Sequence, residues 1–202
     1  MKIRIEPYNP AWKDYFERHK IRILEALSQL GPSIDHIGST SLGDIGAKPI
    51  IDILVGLQSS PQLDEAINPM LAAGYTYVEK FTSGMPYRRF FVKLRALSAK
   101  SIPSVICSAD TLAFGRDYDS IANIHVMEQG TYHWIRHIAF RDYLRAHPEV
   151  RFAYEALKLR IGEIDFDDPL DYNIYKEDFI SEHQEKAIVW FHQRAERGAG
   201  HH

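Results

Sequence analysis

The run over 49–57, PIIDILVGL, is apolar on both of its alternating faces except at Asp52. A strand repeats every two residues, so Ile50, Asp52 and Leu54 share one face and Ile51, Ile53 and Val55 the other. A near-continuous apolar run marks an interior strand covered on both sides. A carboxylate in such a strand is costly to bury without partners. Asp52 therefore either opens onto a cleft, where it serves a functional site, or is fixed by donors as a structural cap. The amides of Gly38, Ser39 and Thr40, just upstream, are the candidate donors.

Several cations lie at spacings that matter. Lys48 precedes the Asp52 strand; taken alone it is a solvated loop lysine. Arg88 and Arg89 alternate faces on YRRFFVKL, so only one can reach a cleft. Counting by two groups Arg89 with Lys93, and Arg89 is the cleft candidate. In FRDYLR, Arg141 and Arg145 flank Asp142; the Asp142–Arg145 pair, three apart on a helix, contributes a few tenths of a kcal/mol, about the usual value for an exposed pair. Lys158 lies beside the stripe Val150, Ala153, Tyr154, Leu157, Ile161, and Lys176 lies within the stripe Tyr172, Tyr175, Phe179, Ile180, His183. Lysines at such boundaries ordinarily snorkel to water. His133 and His137 are four apart, as in helical metal sites, but the glutamate of HExxH is missing, and they read as surface or packing residues. A triad of Ser39, His36 and Asp52 lacks a nucleophile elbow. Trp134, Phe140 and Tyr143 read as core rather than as a base-stacking platform.

The elements that must position these residues follow from periodicity and punctuation. Asn9-Pro10 starts a helix that runs to about residue 30, with Trp12, Phe16, His19, Ile23 and Leu27 on one side and Gly31-Pro32 as its stop. Strands are expected at 33–37, 49–57, 75–79, 87–94 and 122–128, with a helix over 63–73 stopped by Gly74. The segment 96–120 carries no clear period. Helices are expected over 134–147, 149–163 and 170–197, broken at Pro148 and at DFDDP. Strands first and helices last indicate an α/β or α+β fold, a mixed sheet with flanking helices and a C-terminal helical layer. One domain is expected over 1–190, its sheet core about 1–130 and its helical part about 131–197. Residues 198–202, ending in His-His, read as a tail.

Composition narrows the class. The chain has 202 residues, is 45% hydrophobic and 25% charged, and has a net charge of −3, so non-specific nucleic-acid binding is not signalled. Cys107 is the only cysteine, which excludes an intrachain disulfide framework and a cysteine-based zinc site. The opening MKIRIEPYNPAW lacks the apolar core of a signal peptide, and no apolar run approaches the ~20 residues that span a bilayer. A cytoplasmic protein with no membrane partner is expected.

Three blocks, HIGSTS…AKPIIDILV, NIHVMEQGTYHWIRHIAFRDYLRAHPEVRFAYEALK and YNIYKEDFI, resemble the GrpB family of bacterial proteins, in order and across about residues 5–190. The resemblance implies the nucleotidyltransferase fold of DNA polymerase beta and kanamycin nucleotidyltransferase. In that superfamily a Gly-Ser turn contacts the triphosphate, and the next strand carries Asp-x-Asp, whose carboxylates hold two magnesium ions. Gly38 and Ser39 match the Gly-Ser pair: glycine lets backbone N–H groups approach phosphate oxygens and serine adds a donor. Asp52 matches the second carboxylate of the pair, but the first position is Ile50. The third carboxylate comes from a neighbouring strand, matched here by NIHVME, whose central polar residue is His125. Imidazole is a poor magnesium ligand and a good one for manganese, zinc or iron. Asp52 with His125 thus implies a softer ion such as Mn, a single Mg completed by water and phosphate, or no ion.

Two functions follow as expectations. The first is a divergent transferase moving a nucleotidyl or pyrophosphoryl group from a nucleoside triphosphate to an acceptor. Asp52, His125 and Lys48 are then its catalytic candidates, and Gly38, Ser39, Thr40, Arg89, Arg141, Lys158 and Lys176 bind substrate. The second is a non-catalytic module for a nucleotide or phosphorylated small molecule such as a coenzyme A precursor. Ile50 favours the second; Gly-Ser and Asp52 favour the first.

Overall fold

The first apolar stripe starts the fold. Asn9 Oδ1 accepts the Ala11 amide at 3.0 Å, and helix α1 (Ala11–Ala26) follows with Trp12, Phe16 and Ile23 buried. A 3-10 turn, Ser28–Leu30, completes the expected helix before Gly31 turns the chain in the left-handed region. The computed structural model describes residues 3–166 and 171–199. Strands β1 (Ser33–Ile37), β2 (Ile51–Leu57), β3 (Thr76–Tyr77), β4 (Arg88–Ala96) and β5 (Tyr118–Glu128) form one sheet in the order β1-β2-β5-β4-β3. β2 and β5 are parallel, and every other pairing is antiparallel.

β2 is interior and covered on both faces. Ile51, Ile53 and Val55 pack in one cluster with Trp12, Phe16, Ile23 and Leu27 of the first helical segment. Leu63 and Met70, from α2 (Gln62–Glu65) and α3 (Ile67–Ala72), join them. On the other face Leu54 packs with Ile37, Met127 and Ile138. That face is roofed by α4 (Tyr132–Ala146), α5 (Pro148–Gly162) and α6 (Asp171–Ala199). The sheet elements thus end at Glu128 and the helical layer starts at Tyr132. Among the described residues no helix is long and apolar enough to cross a membrane.

The departures from expectation have local causes. The expected helix over 63–73 is two pieces, because Pro69 has no amide to donate to the Glu65 carbonyl. β2 begins at Ile51 rather than at residue 49: Pro49 lacks a donor, and the Ile50 amide bonds the Lys48 carbonyl at 2.7 Å, so the ladder starts two residues later. β3 is only two residues long, while β5 starts four residues early and draws 118–120 out of the aperiodic segment. In α5 Ala153 is exposed, and in α6 Tyr175 is 55% exposed, so those stripes are narrower than expected. The end of the DFDDP break, residues 167–170, and residues 200–202 lie outside the described residues, as does the Tyr172 side chain.

Burial on both faces makes a symmetric prediction. Ile53→Ala and Leu54→Ala remove side chains of 0% exposure from opposite faces of β2. Each is expected to cost about 2–5 kcal/mol. Urea denaturation checks this; a strand with one solvated face would lose stability from only one of the two.

Candidate functional site

The site begins with strand register. Asp52 faces Asn123 across the parallel β2–β5 pair, and Leu54 faces His125. Asp52, Asn123 and His125 therefore share one face of the sheet, the face under α4–α6. The Asn123 amide donates to Asp52 Oδ1 at 2.9 Å, and the Ser120 hydroxyl donates to Asn123 Oδ1 at 3.3 Å, which fixes the amide's orientation. At the end of β1, Gly38 adopts φ 68°, ψ −174°, and backs directly onto the carboxylate. A Cβ built there would sit 2.3 Å from Asp52 Oδ2. Only glycine allows this approach.

The loop after Gly38 is gripped from the helical layer. Arg141 donates to the His36 carbonyl at 3.3 Å and Arg145 to the Ser41 carbonyl at 2.8 Å. Arg151 pairs with Asp44, Glu155 accepts the Gly46 amide, and Lys158 donates to the Gly46 carbonyl. These contacts come from α4 and α5 at helical spacing, so one side of each helix runs along the loop. Thr40 sits inside it: His36 Nε2 donates to Thr40 Oγ1 at 2.9 Å, and Thr40 Oγ1 in turn reaches the Ile50 carbonyl at 3.4 Å.

Between loop, sheet and helices lies a cleft of ≈ 260 Å³. Gly38, Ser39 and Asp52 form one end; His125, Arg136 and His137 form another; Phe140, Tyr154 and Ile180 are among its apolar walls. Burial raises the Asp52 pKa against the downward pull of Asn123, Lys176 and Lys48. Burial lowers the Lys176 pKa to about 8 and that of Lys48 in direction, each opposed by Asp52. Lys158, 2% exposed, is lowered to about 7 by burial and by Lys176, against Glu155.

The expected site residues divide accordingly. Gly38, Ser39, Asp52, His125 and Arg141 line the cleft. Lys48 and Lys176 lie near enough to Asp52 to act on its charge without lining the cavity. Lys158 is behind them, holding Gly46. Thr40 is 4% exposed and holds the loop rather than facing a ligand. Arg141 is neutralised by Asp35 at 2.8 Å and Asp142 at 2.7 Å. Arg89 is on the wrong face: it pairs with Val126 in register and with Asp64 at 2.6 Å, under the opposite helices. Arg88 takes the cleft side, its Nη1 3.2 Å from His125 Nδ1. Period two groups the residues of a strand but does not say which group faces which layer.

Three residues of the site carried weak signals. Asn123 is the register partner of Asp52; its signal was its place two residues before His125, masked by its lack of charge. Arg136 and His137 face the cleft from α4; their signal was the four-residue step from His133 through to Phe140 and Leu144. His133 itself stacks on Tyr87, ring centroids 3.5 Å apart. Phe140, expected in the core, is half-buried and lines the cleft.

A preformed metal site does not fit this donor set. Asp52 is the one carboxylate on the cleft floor; Ile50 and Asn123 occupy the neighbouring positions, and Lys48 and Lys176 already act on its charge. His125 Nδ1 faces the Arg88 guanidinium. Among the described residues no group of three His, Cys, Asp or Glu could hold an ion. The carboxylates of Asp35 and Asp44, on the neighbouring strand and loop, are paired with Arg141 and Arg151.

Comparison with known proteins places this geometry. The family model described as GrpB protein matches residues 2–186. The chain is 31% identical over 189 residues to the UPF0157 protein YqkA of Bacillus subtilis, covering 94% of this chain and 48% of that protein. It is 32% identical over 200 residues to a dephospho-CoA kinase of Mycolicibacterium paratuberculosis, covering 93% of this chain and 46% of that protein. The chain thus spans about half the length of these two curated relatives. The crystal structure of conserved protein GrpB from Enterococcus faecalis superposes with a TM-score of 0.72 at 26% identity, over 93% of this chain and 99% of that one.

Two outcomes test the geometry. Gly38→Ala places a Cβ on the Asp52 carboxylate at a positive φ and is expected to cost roughly 1–3 kcal/mol; combining it with Asp52→Ala should recover part of the loss in a double-mutant cycle. Lys158 tests the buried ammonium. Its folded pKa of about 7 lies below the ordinary 10.5, so the unfolded chain holds the extra proton between these values. The stability of the natural chain relative to Lys158→Met should therefore rise as pH increases from about 7 towards 10.5, by a few kcal/mol in order of magnitude. Denaturation midpoints across that range read the slope; a flat difference would mean the ammonium is not penalised.

Proposed function

The chain belongs to the GrpB family, and from that premise and the cleft we propose that it binds a nucleotide or another phosphorylated small molecule without a preformed metal site. The observation that carries this reading is the Lys48 ammonium beside a buried carboxylate that backs onto the Gly38 turn. Lys48 and Lys176 both act on Asp52, whose own ionised form burial disfavours. The Lys48 ammonium has no hydrogen-bond or ion-pair partner among the described residues, although it is half-buried and feels the charges of Asp52 and Asp119. Gly38 and Ser39 border the same end of the cleft, where an open backbone and a hydroxyl suit phosphate oxygens. Two-metal transfer needs carboxylates to hold and charge-balance both ions; the chain supplies Asp52 with isoleucine and asparagine beside it. The match to part of a dephospho-CoA kinase makes a coenzyme A precursor one of the ligands to try.

The test is calorimetry and thermal shift with ATP, ADP and dephospho-coenzyme A, each with and without Mg²⁺ or Mn²⁺. At least one should bind without metal, and at a hundred times its dissociation constant it should add ~2.7 kcal/mol of stability. Lys48→Glu should abolish that gain and leave the melting temperature of the free chain nearly unchanged. No shift with any ligand at millimolar concentration overturns the reading. Pyrophosphate release from ATP that requires Mg²⁺ would replace it with the transferase reading.

A further inference from the structure

At the far end of the cleft from Gly38, β4, β5 and α4 bring together Arg88, His125, Arg136 and His137. Arg88 Nη1 lies 3.2 Å from His125 Nδ1, and the His125 and His137 rings are 5.4 Å apart. Arg88 also contacts the Met85 sulfur at 3.1 Å and lies over the Phe90 ring at 4.9 Å. Among the described residues neither Arg88 nor Arg136 has a carboxylate partner. Arg88 Nε, Arg136 Nε and His137 Nε2 are buried with no hydrogen-bond partner at all. The other buried cations of this layer are served differently: Arg141 by Asp35 and Asp142, Arg151 by Asp44, Lys158 by the Gly46 carbonyl. The cluster also suppresses its own charge. Burial and the two guanidiniums lower the His137 pKa to about 3 and push that of His125 well down, so both rings are neutral at ordinary pH. Unpaired guanidiniums and open imidazole nitrogens at the wall of a cavity are costly unless something else completes them.

We propose that Arg136 and His137, with Arg88 bracing His125 behind them, form a second anion subsite that takes a further phosphate or carboxylate of the ligand bound at Gly38–Ser39. This rests on the reading of the cleft as a phosphorylated-ligand site. Arg136, His137 and His125 line the same cavity as Gly38, Ser39 and Asp52, so one molecule reaches both ends. His125 stands two residues along β5 from Asn123, about 6.6 Å along the strand. The fitting ligand carries two anionic groups several ångströms apart, with an apolar or neutral part against Phe140 and Ile180.

The probes are tripolyphosphate, with two phosphate ends, and 3-phosphoglycerate, with one phosphate and one carboxylate, titrated by calorimetry into the natural chain, Arg136→Gln and Lys48→Gln. Arg136→Gln should weaken the better of the two probes at least tenfold, and the melting temperature of the free variant should stay level or rise, because a half-buried cation without a carboxylate partner has been removed. Which probe binds more tightly identifies the second group as phosphate or carboxylate. Arg136→Lys, which keeps the charge, should restore part of the affinity. If Lys48→Gln weakens binding while Arg136→Gln leaves it within twofold, the second subsite is wrong and the first stands. A lowered melting temperature with unchanged binding in Arg136→Gln likewise assigns that residue a purely structural role. If neither probe binds, the second subsite is wrong, and the first reading stands or falls on the nucleotide and dephospho-coenzyme A titrations alone.

Discussion

A carboxylate sits in the middle of a strand that is covered on both faces, and much of the site is arranged around that fact. Desolvation disfavours the ionised Asp52 more strongly than its neighbours favour it. The neighbours are those that geometry could supply: an amide at 2.9 Å from the register partner Asn123, and ammonium groups of Lys48 and Lys176 close enough to act through charge. Gly38 must be a glycine because the carboxylate fills the space a side chain would use. The turn after β1, the register of β2 on β5 and the approach of α6 are thus coupled through one side chain. A shift of register by one residue would turn Asp52 into the largely apolar cluster of Trp12 and Phe16.

The loop that carries Gly38 and Ser39 is irregular between β1 and β2, and irregular backbone under a helical layer needs partners for its polar groups. α4 and α5 supply them. Arginine suits this work because its fork presents several N–H donors in fixed geometry: Arg145 holds the one Ser41 carbonyl through two nitrogens, at 2.8 and 3.3 Å. Arg151 bonds the carbonyls of Leu144 and Arg145 as well as Asp44, tying the end of α4 to the loop. The helices therefore act as a clamp on the backbone of the loop. The turn at Gly38 and Ser39 owes its shape to side chains of the helices packed over it.

Much of the fold was legible because its signals are local. The α1 stripe, the first strand and the doubly covered β2 all follow from period and punctuation. The shared face of Asp52 and His125 rested on the family resemblance as well as on counting by two, because period two does not align one strand with another. What was not legible depends on contacts between distant segments. Arg89 was grouped correctly with Lys93, yet the choice between Arg88 and Arg89 turns on which helices cover which face of β4. Lys158 has the spacing of a cleft residue, but it is spent on the Gly46 carbonyl, 112 positions away in sequence. Thr40 follows Gly-Ser and still faces inward, because His36 and Ile50 take its hydroxyl. Asn123 was overlooked because a neutral amide next to a histidine is the less conspicuous of the two.

The helical layer holds two opposed treatments of buried charge. Around the loop Arg141, Arg145, Arg151 and Lys158 each meet a carboxylate or a backbone carbonyl, which fixes the position of the loop. Around His125 the cations are left with nitrogen, sulfur and ring neighbours, and the imidazoles can accommodate them only by staying neutral. A chain selected for stability alone would replace Arg88 or Arg136 with an apolar residue of similar volume, since unpaired buried ions are commonly destabilising. Strain of this kind collects where a site is held ready for a group that the protein itself does not contain. The contrast between the two ends of α4, quenched at Arg141 and unquenched at Arg136, is therefore more informative about function than the total charge of the cleft.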